Sequence, residues 1–102
     1  MSISVTARTI PESATVVAAG ELLASEFGNE IVILNLRDGV YYSLEDVGAR
    51  IWKLLQAPVS VPAIREAIVA EYEVQPARCE RDLRTLLGEL SAKGLVEVRE
   101  GA

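Results

Sequence analysis

The chain of 102 residues contains no histidine and one cysteine, Cys79. The first absence removes the side chain whose ordinary pKa lies nearest neutrality, and with it the commonest general base and metal ligand. The second rules out an intrachain disulfide, and a lone thiol without histidine does not make a zinc site of the usual spacing. No local base would activate Cys79, whose spacing to Leu83 and Leu87 is that of a small core residue on a helix face. Gly20, Gly28, Gly39, Gly48 and Gly94 are scattered at turns and helix positions and form no phosphate-cradling loop. Glu45, Asp46, Glu71 and Glu73 fall at helix ends, where caps and solvated faces account for them. The expectation is a protein that is not an enzyme, with no cofactor and no metal.

Positive charge is also scarce. Ten Lys and Arg stand against fifteen Asp and Glu, a net charge of -5, which argues against nucleic acid as a partner because phosphate neutralisation supplies most of that affinity. No stretch approaches the roughly 18 apolar residues that span a bilayer, and "MSISVTARTIPES" lacks the basic segment and apolar run of a secretion signal. A cytoplasmic location and no membrane partner are expected.

Half of the residues are hydrophobic and a quarter charged, an ordinary globular balance in a chain just long enough to bury its own core. Residues 1–20 read as an irregular N-terminal arm with a short strand at "TVVAA", residues 21–98 as one domain and residues 99–102 as a tail. Within the domain, "ELLASEF", "EIVILNL" and "VYYSL" are separated by Gly28-Asn29 and by Arg37-Asp38-Gly39. Gly-Asn suits a type II′ turn and Asp-Gly a type I′ turn, so a three-stranded antiparallel meander is expected. Two-residue loops would set Phe27 opposite Glu30, Leu23 opposite Leu34, Leu36 opposite Tyr41 and Asn35 opposite Tyr42. The run Ile31 to Leu36 is apolar on both faces except at Asn35 and belongs in the middle of the sheet. Strand 40–44 is left at an edge.

Helical spacing then takes over. Asp46 or Ser43 is placed as N-cap of a first helix carrying Val47, Ile51, Leu54 and Leu55 on one face, with Trp52 beside them, and Ala57-Pro58 ends it. Gly48, a poor helix former, suggests close approach of "VGA" to the sheet. Ser60 caps a second helix with Pro62 in its first turn and Ile64, Ile68 and Tyr72 at intervals of four, stopping near Glu73. Pro76 opens a third, and Gly94 ends it with positive φ. On that helix Leu83 and Leu90 centre the apolar stripe, Cys79 and Leu86 lie toward one border, and Arg78, Asp82 and Lys93 lie just beyond it. "LVEV", residues 95–98, alternates as a short last strand.

An edge strand shows unpaired N–H and C=O groups, usually blunted by Lys, Pro, a bulge or a cover. "VYYSL" carries none of these devices in its own sequence. One reading is that a helix or the N-terminal arm covers it. The other is that it stays open for an extended peptide to add as a strand, with the apolar stripe and charged rim of the third helix as the second wall.

"LRDGVYYSLEDVGARIWKLL", followed by two further helices and "LLGELSAKGLVEV", resembles the PqqD-like family, the leader-binding domains of ribosomally made, post-translationally modified peptides. The resemblance spans about residues 20–98, and "DGVYYSL" with "VGARIW" is most similar to the stand-alone subunit that works with a separate leader peptidase in lasso-peptide biosynthesis. It implies an α+β fold, a three-stranded antiparallel sheet followed by three helices in a winged helix-turn-helix-like arrangement. It implies a precursor leader peptide as partner, with a cysteine protease as leader peptidase and a macrolactam cyclase downstream. It also implies a peptide-binding site made of Val40, Tyr41, Tyr42 and Ser43 on the strand and Arg78, Cys79, Asp82, Leu83 and Leu86 on the third helix. Three rivals remain: a winged-helix DNA-binding protein, a PqqD-type chaperone for a radical enzyme, and a scaffold that pairs its open edge with another copy. Between Pro76 and Gly94, Arg78, Arg81, Arg84 and Lys93 face Glu80, Asp82 and Glu89, too small a positive excess for a helix that reads DNA.

Overall fold

The computed structural model describes residues 10–100. The character expected of residues 1–9 and of the tail end at 101–102 lies outside the described residues. The elements run β1 (Thr15–Ala18), β2 (Leu22–Phe27), β3 (Glu30–Asn35), β4 (Val40–Glu45), α1 (Val47–Leu54), β5 (Val59–Ser60), α2 (Val61–Glu71), α3 (Pro76–Ala92) and β6 (Val96–Arg99). The class is α+β, as the sequence indicates, but the strands form two antiparallel sheets, ordered β2-β3-β4 and β5-β1-β6. A simple succession of three strands and three helices is therefore incomplete. β1 precedes the meander, β5 separates α1 from α2, and β6 follows α3.

The meander forms, with its first turn as expected and its second different. Gly28 has φ of 64° and Asn29 is not among the residues of positive φ, the pattern a type II′ turn requires, and Phe27 pairs with Glu30 and Leu23 with Leu34 as expected. The second hairpin departs from its expected register by two residues: Asn35 pairs with Val40, Leu34 with Tyr41 and Ile33 with Tyr42. The cause is the buried Asn35. Its Oδ1 accepts from the Arg37 N–H at 2.9 Å and its carbonyl accepts from the Gly39 N–H at 2.8 Å, while Asp38 Oδ1 accepts from the Val40 N–H at 2.9 Å. These bonds close a four-residue loop in which Gly39 has positive φ and Asp38 does not, so the turn is not type I′. A slip of two residues preserves the faces. Ile31, Ile33 and Asn35 are buried on one side of β3, and Leu44, Tyr42 and Val40 share that side on β4.

β1 is the centre of the second sheet, with Val16 opposite both Val59 and Val98. The core accordingly reaches N-terminal of residue 21 and includes Ile10, Ala14 and Val16 with Leu55, Ile64, Leu87 and Leu95. Ser60 caps α2 by accepting from the Ala63 N–H at 3.2 Å, and Pro62 sits in the first turn. Gly94, with φ of 76°, follows α3. Asp46 occupies the N-cap position of α1 at φ 53° and ψ -117° without a side-chain cap, and its N–H donates to the Asn29 carbonyl at 3.0 Å. Ser43 is not the cap. It lies within β4, where its hydroxyl donates to the Glu30 carboxylate.

Candidate functional site

β4 lies at the end of its sheet, and among the described residues no further strand lies beyond it. The direction of its amides follows from one bond. The Asp46 N–H points to Asn29, across the same register that joins β4 to β3, and alternation along an antiparallel ladder then turns Leu44 and Tyr42 toward β3. Tyr41, Ser43 and Glu45 therefore direct their N–H and C=O groups outward. Tyr41, 68 % exposed, and Ser43 hold their side chains on the sheet face away from Ile31 and Ile33, whereas Val40 and Tyr42 share the face of those residues.

Beside this edge, α3 meets the start of α1. Arg78, Cys79, Asp82, Leu83 and Leu86 line a single cleft of about 290 Å³. Val47, Gly48 and Ile51 of α1 complete it on one side, and Ile68 and Val74 on the other. The spacing of α3 explains the wall. Leu83 and Cys79 are buried and make the floor, Leu86 is half-buried, and Arg78 and Asp82 stand exposed at the rim with 3.7 Å between Arg78 Nε and Asp82 Oδ2. Burial pushes the Cys79 thiol above its ordinary pKa, an effect the Glu80 carboxylate reinforces, so the cleft presents a neutral and poorly nucleophilic sulfur.

The structure thus brings together all five helix residues singled out in the sequence. It does not bring Val40 to Ser43 into the same cleft; they lie along the strand next to it. Two contacts join the two parts. A β-carbon built on Gly48 would stand 3.7 Å from Leu44 side-chain atoms, and the Lys93 Nζ stands 5.4 Å from the centroid of the Tyr42 ring. "VGA" packs against β4 as expected, but 3.7 Å is ordinary contact, so the packing does not require glycine at 48, and Gly48 also lines the cleft. Val47, Gly48, Ile51, Ile68 and Val74 were outside the expected site. Four of them carry the apolar signal of any helix face or loop, which does not separate a cleft wall from core.

The surroundings are fixed by ion pairs. Arg50 donates two hydrogen bonds to Glu71 at 2.8 and 2.9 Å, tying α1 to α2, and these hold the Glu71 carboxyl below its ordinary pKa. Arg65 and Arg84 both donate to Glu80, holding it low likewise, and Arg84 also donates to the Ile10 carbonyl and to Glu12. Among the described residues no group of His, Cys, Asp and Glu is arranged to hold a metal ion, and no helix is long and apolar enough to cross a membrane.

Residues 30–96 match the family model described as coenzyme PQQ synthesis protein D (PqqD). Three solved structures are similar. TbiB1 in complex with the TbiA(beta) leader peptide is 38 % identical over 79 % of this chain and 94 % of that one, with a TM-score of 0.75. A lasso peptide synthetase B1 complexed with its leader peptide is 27 % identical over 80 % and 96 %, with a TM-score of 0.72. The PqqD truncation of Methylobacterium extorquens PqqCD, a stand-alone recognition element for ribosomally synthesised and post-translationally modified peptides, shares the fold at 20 % identity over 90 % and 97 %, with a TM-score of 0.73. No curated protein sequence matches the chain.

Proposed function

The chain belongs to the PqqD family, and we propose from that premise that it binds the leader segment of a ribosomally made precursor peptide without acting on it chemically. The leader adds as a strand along Val40 to Ser43 and lies against α3, where Arg78, Cys79, Asp82, Leu83 and Leu86 receive a side chain in the apolar cleft. The observation that carries this reading is the open edge of β4 next to that cleft. Main-chain hydrogen bonds supply affinity that is indifferent to sequence, and the cleft supplies discrimination.

The consequence of binding is recruitment. A precursor held on this domain meets its modifying enzymes at a raised effective concentration without any change in their own active sites. The likeness to the leader-bound lasso peptide synthetase B1 favours a lasso-type pathway, in which a cysteine protease removes the leader and a macrolactam cyclase acts on the remainder. A PqqD-type role beside a radical enzyme is the alternative within the family. The winged-helix DNA-binding reading loses support, because Arg84 is committed to Glu80 and Glu12 and Arg78 faces Asp82, which leaves Arg81 and Lys93 outside such pairs, on different sides of the helix and too few for a helix that reads DNA.

The test is binding of the two halves of the cognate precursor, measured by anisotropy of a labelled peptide. The leader half is expected to bind at micromolar or tighter dissociation constant and the core half alone not to bind. Equal affinity for both halves contradicts the proposal.

A further inference from the structure

The cations of the described residues are almost all matched. Arg37 pairs with Glu21, Arg50 with Glu71, Lys53 with Glu26, Arg65 and Arg84 with Glu80 and Glu12, Arg78 with Asp82, and Arg99 with Glu97. Arg81 and Lys93 are absent from these pairs. Arg81 stands on the side of α3 away from Leu86, five residues and about 140° round the helix. Lys93 stands on the cleft side of the helix end, with its ammonium over the Tyr42 ring. In a chain of net charge -5, an unmatched cation against the edge strand of the candidate site is the exception.

A peptide strand added to β4 would run about 4.8 Å beyond it, and its side chains on the face of Tyr42 would come within reach of the Lys93 ammonium. For a peptide that lies along α3, as the strand-addition reading has it, the helix sets the spacing to the cleft. Leu83 on the cleft floor and Lys93 are ten residues apart on α3, a rise of about 15 Å along its axis at 1.5 Å per residue. An extended chain advances about 3.3 Å per residue and returns a side chain to the same face only at even steps, so four residues, about 13 Å, span the distance. Two residues, about 7 Å, fall short.

We propose that Lys93 is a specificity-determining residue, which selects an Asp or Glu in the docked peptide four positions from the apolar residue that fills the cleft. The inference rests on the strand-addition reading and adds to it a class of ligand: an extended peptide with an apolar anchor and one carboxylate at that spacing. The Tyr42 ring holds the ammonium in place by its negative face, without consuming it in an internal ion pair.

The experiment selects a phage-displayed library of random 12-residue peptides on the folded domain and, in parallel, on Lys93→Glu, with far-ultraviolet circular dichroism and Trp52 emission confirming both folds. Lys93 is exposed at the helix end, so the change leaves the core intact. The wild type is expected to enrich Asp or Glu four positions from a bulky apolar residue, and Lys93→Glu to keep the apolar preference while losing the acidic one or exchanging it for Lys or Arg. For one selected peptide, replacing the acid by its amide should weaken binding about threefold to the wild type, within the range of an exposed ion pair, and leave binding to Lys93→Gln unchanged. Apolar anchors selected without any charge preference, or an acidic preference that survives in Lys93→Glu, overturn the inference and leave strand addition standing. No enrichment on either folded protein removes both.

Discussion

Gly48 is the residue at which stability and binding pull apart. It sits in the first turn of α1, where glycine is a poor helix former, yet a β-carbon there would meet Leu44 only at ordinary contact distance. No positive φ requires it either. Gly48→Ala is therefore expected to stabilise the fold by about 0.5–1 kcal/mol in urea denaturation followed by Trp52 emission. The added methyl group enters the cleft wall, so the same variant should bind the leader peptide more weakly. A variant neither more stable nor weaker in binding would show that the cleft is not the receiving surface. Asn35 makes the complementary point about what a residue hides. Its amide reads in the sequence as a polar interruption of an apolar strand, and only the bonds that its side-chain oxygen and its carbonyl accept from the Arg37 and Gly39 N–H groups reveal that it sets the loop length and hence the register.

At the scale of elements, the corrected register decides which backbone group matters. Tyr42 directs its N–H to β3, so Tyr42→Pro should break the ladder and destabilise the sheet, whereas Ser43→Pro removes an outward N–H, a position at which proline is tolerated in an edge strand. The expected outcome is a folded Ser43→Pro domain with peptide affinity lowered at least tenfold, and a Tyr42→Pro domain with a lower urea midpoint. The meander, the three helices, the Ser60 cap and the Gly94 stop were legible because each is announced locally, by a turn dipeptide, a cap residue or a period of 3.6. The second sheet was not. "TVVA" and "VEVR" each read as short strands, but nothing local says that Thr15 pairs with Arg99, and the two residues of β5 are too few to show a period. The side chains that bind Ile10 to Glu12 onto the helices were hidden for the same reason. Their effect is testable by pH. The Arg65 and Arg84 hydrogen bonds depress the Glu80 pKa in the fold, so this stabilisation is complete above the ordinary carboxylate value of about 4.3 and is lost as pH falls through the lower folded value. Between pH 7 and pH 3 the urea midpoint should fall more steeply in the wild type than in Glu80→Gln, and parallel curves would contradict the assignment.

At the scale of the molecule, the two parts of the candidate site come from segments more than thirty residues apart, and neither suffices alone. α3 without β4 is one more amphipathic helix, and β4 without α3 is one more exposed edge. Packing around Leu83, Leu87, Ile64 and Ile31 sets them side by side, with Lys93 over Tyr42 at one end and the cleft at the other. The proposed action of the molecule is to hold another chain in place along that strand and cleft. Amide hydrogen exchange measured residue by residue, with and without saturating leader peptide, tests that claim most directly. New protection is expected at alternate positions, Tyr41, Ser43 and Glu45, with Tyr42 and Leu44 already protected in the free protein. Bound peptide that leaves the Tyr41 and Ser43 amides exchanging as fast as before would contradict it.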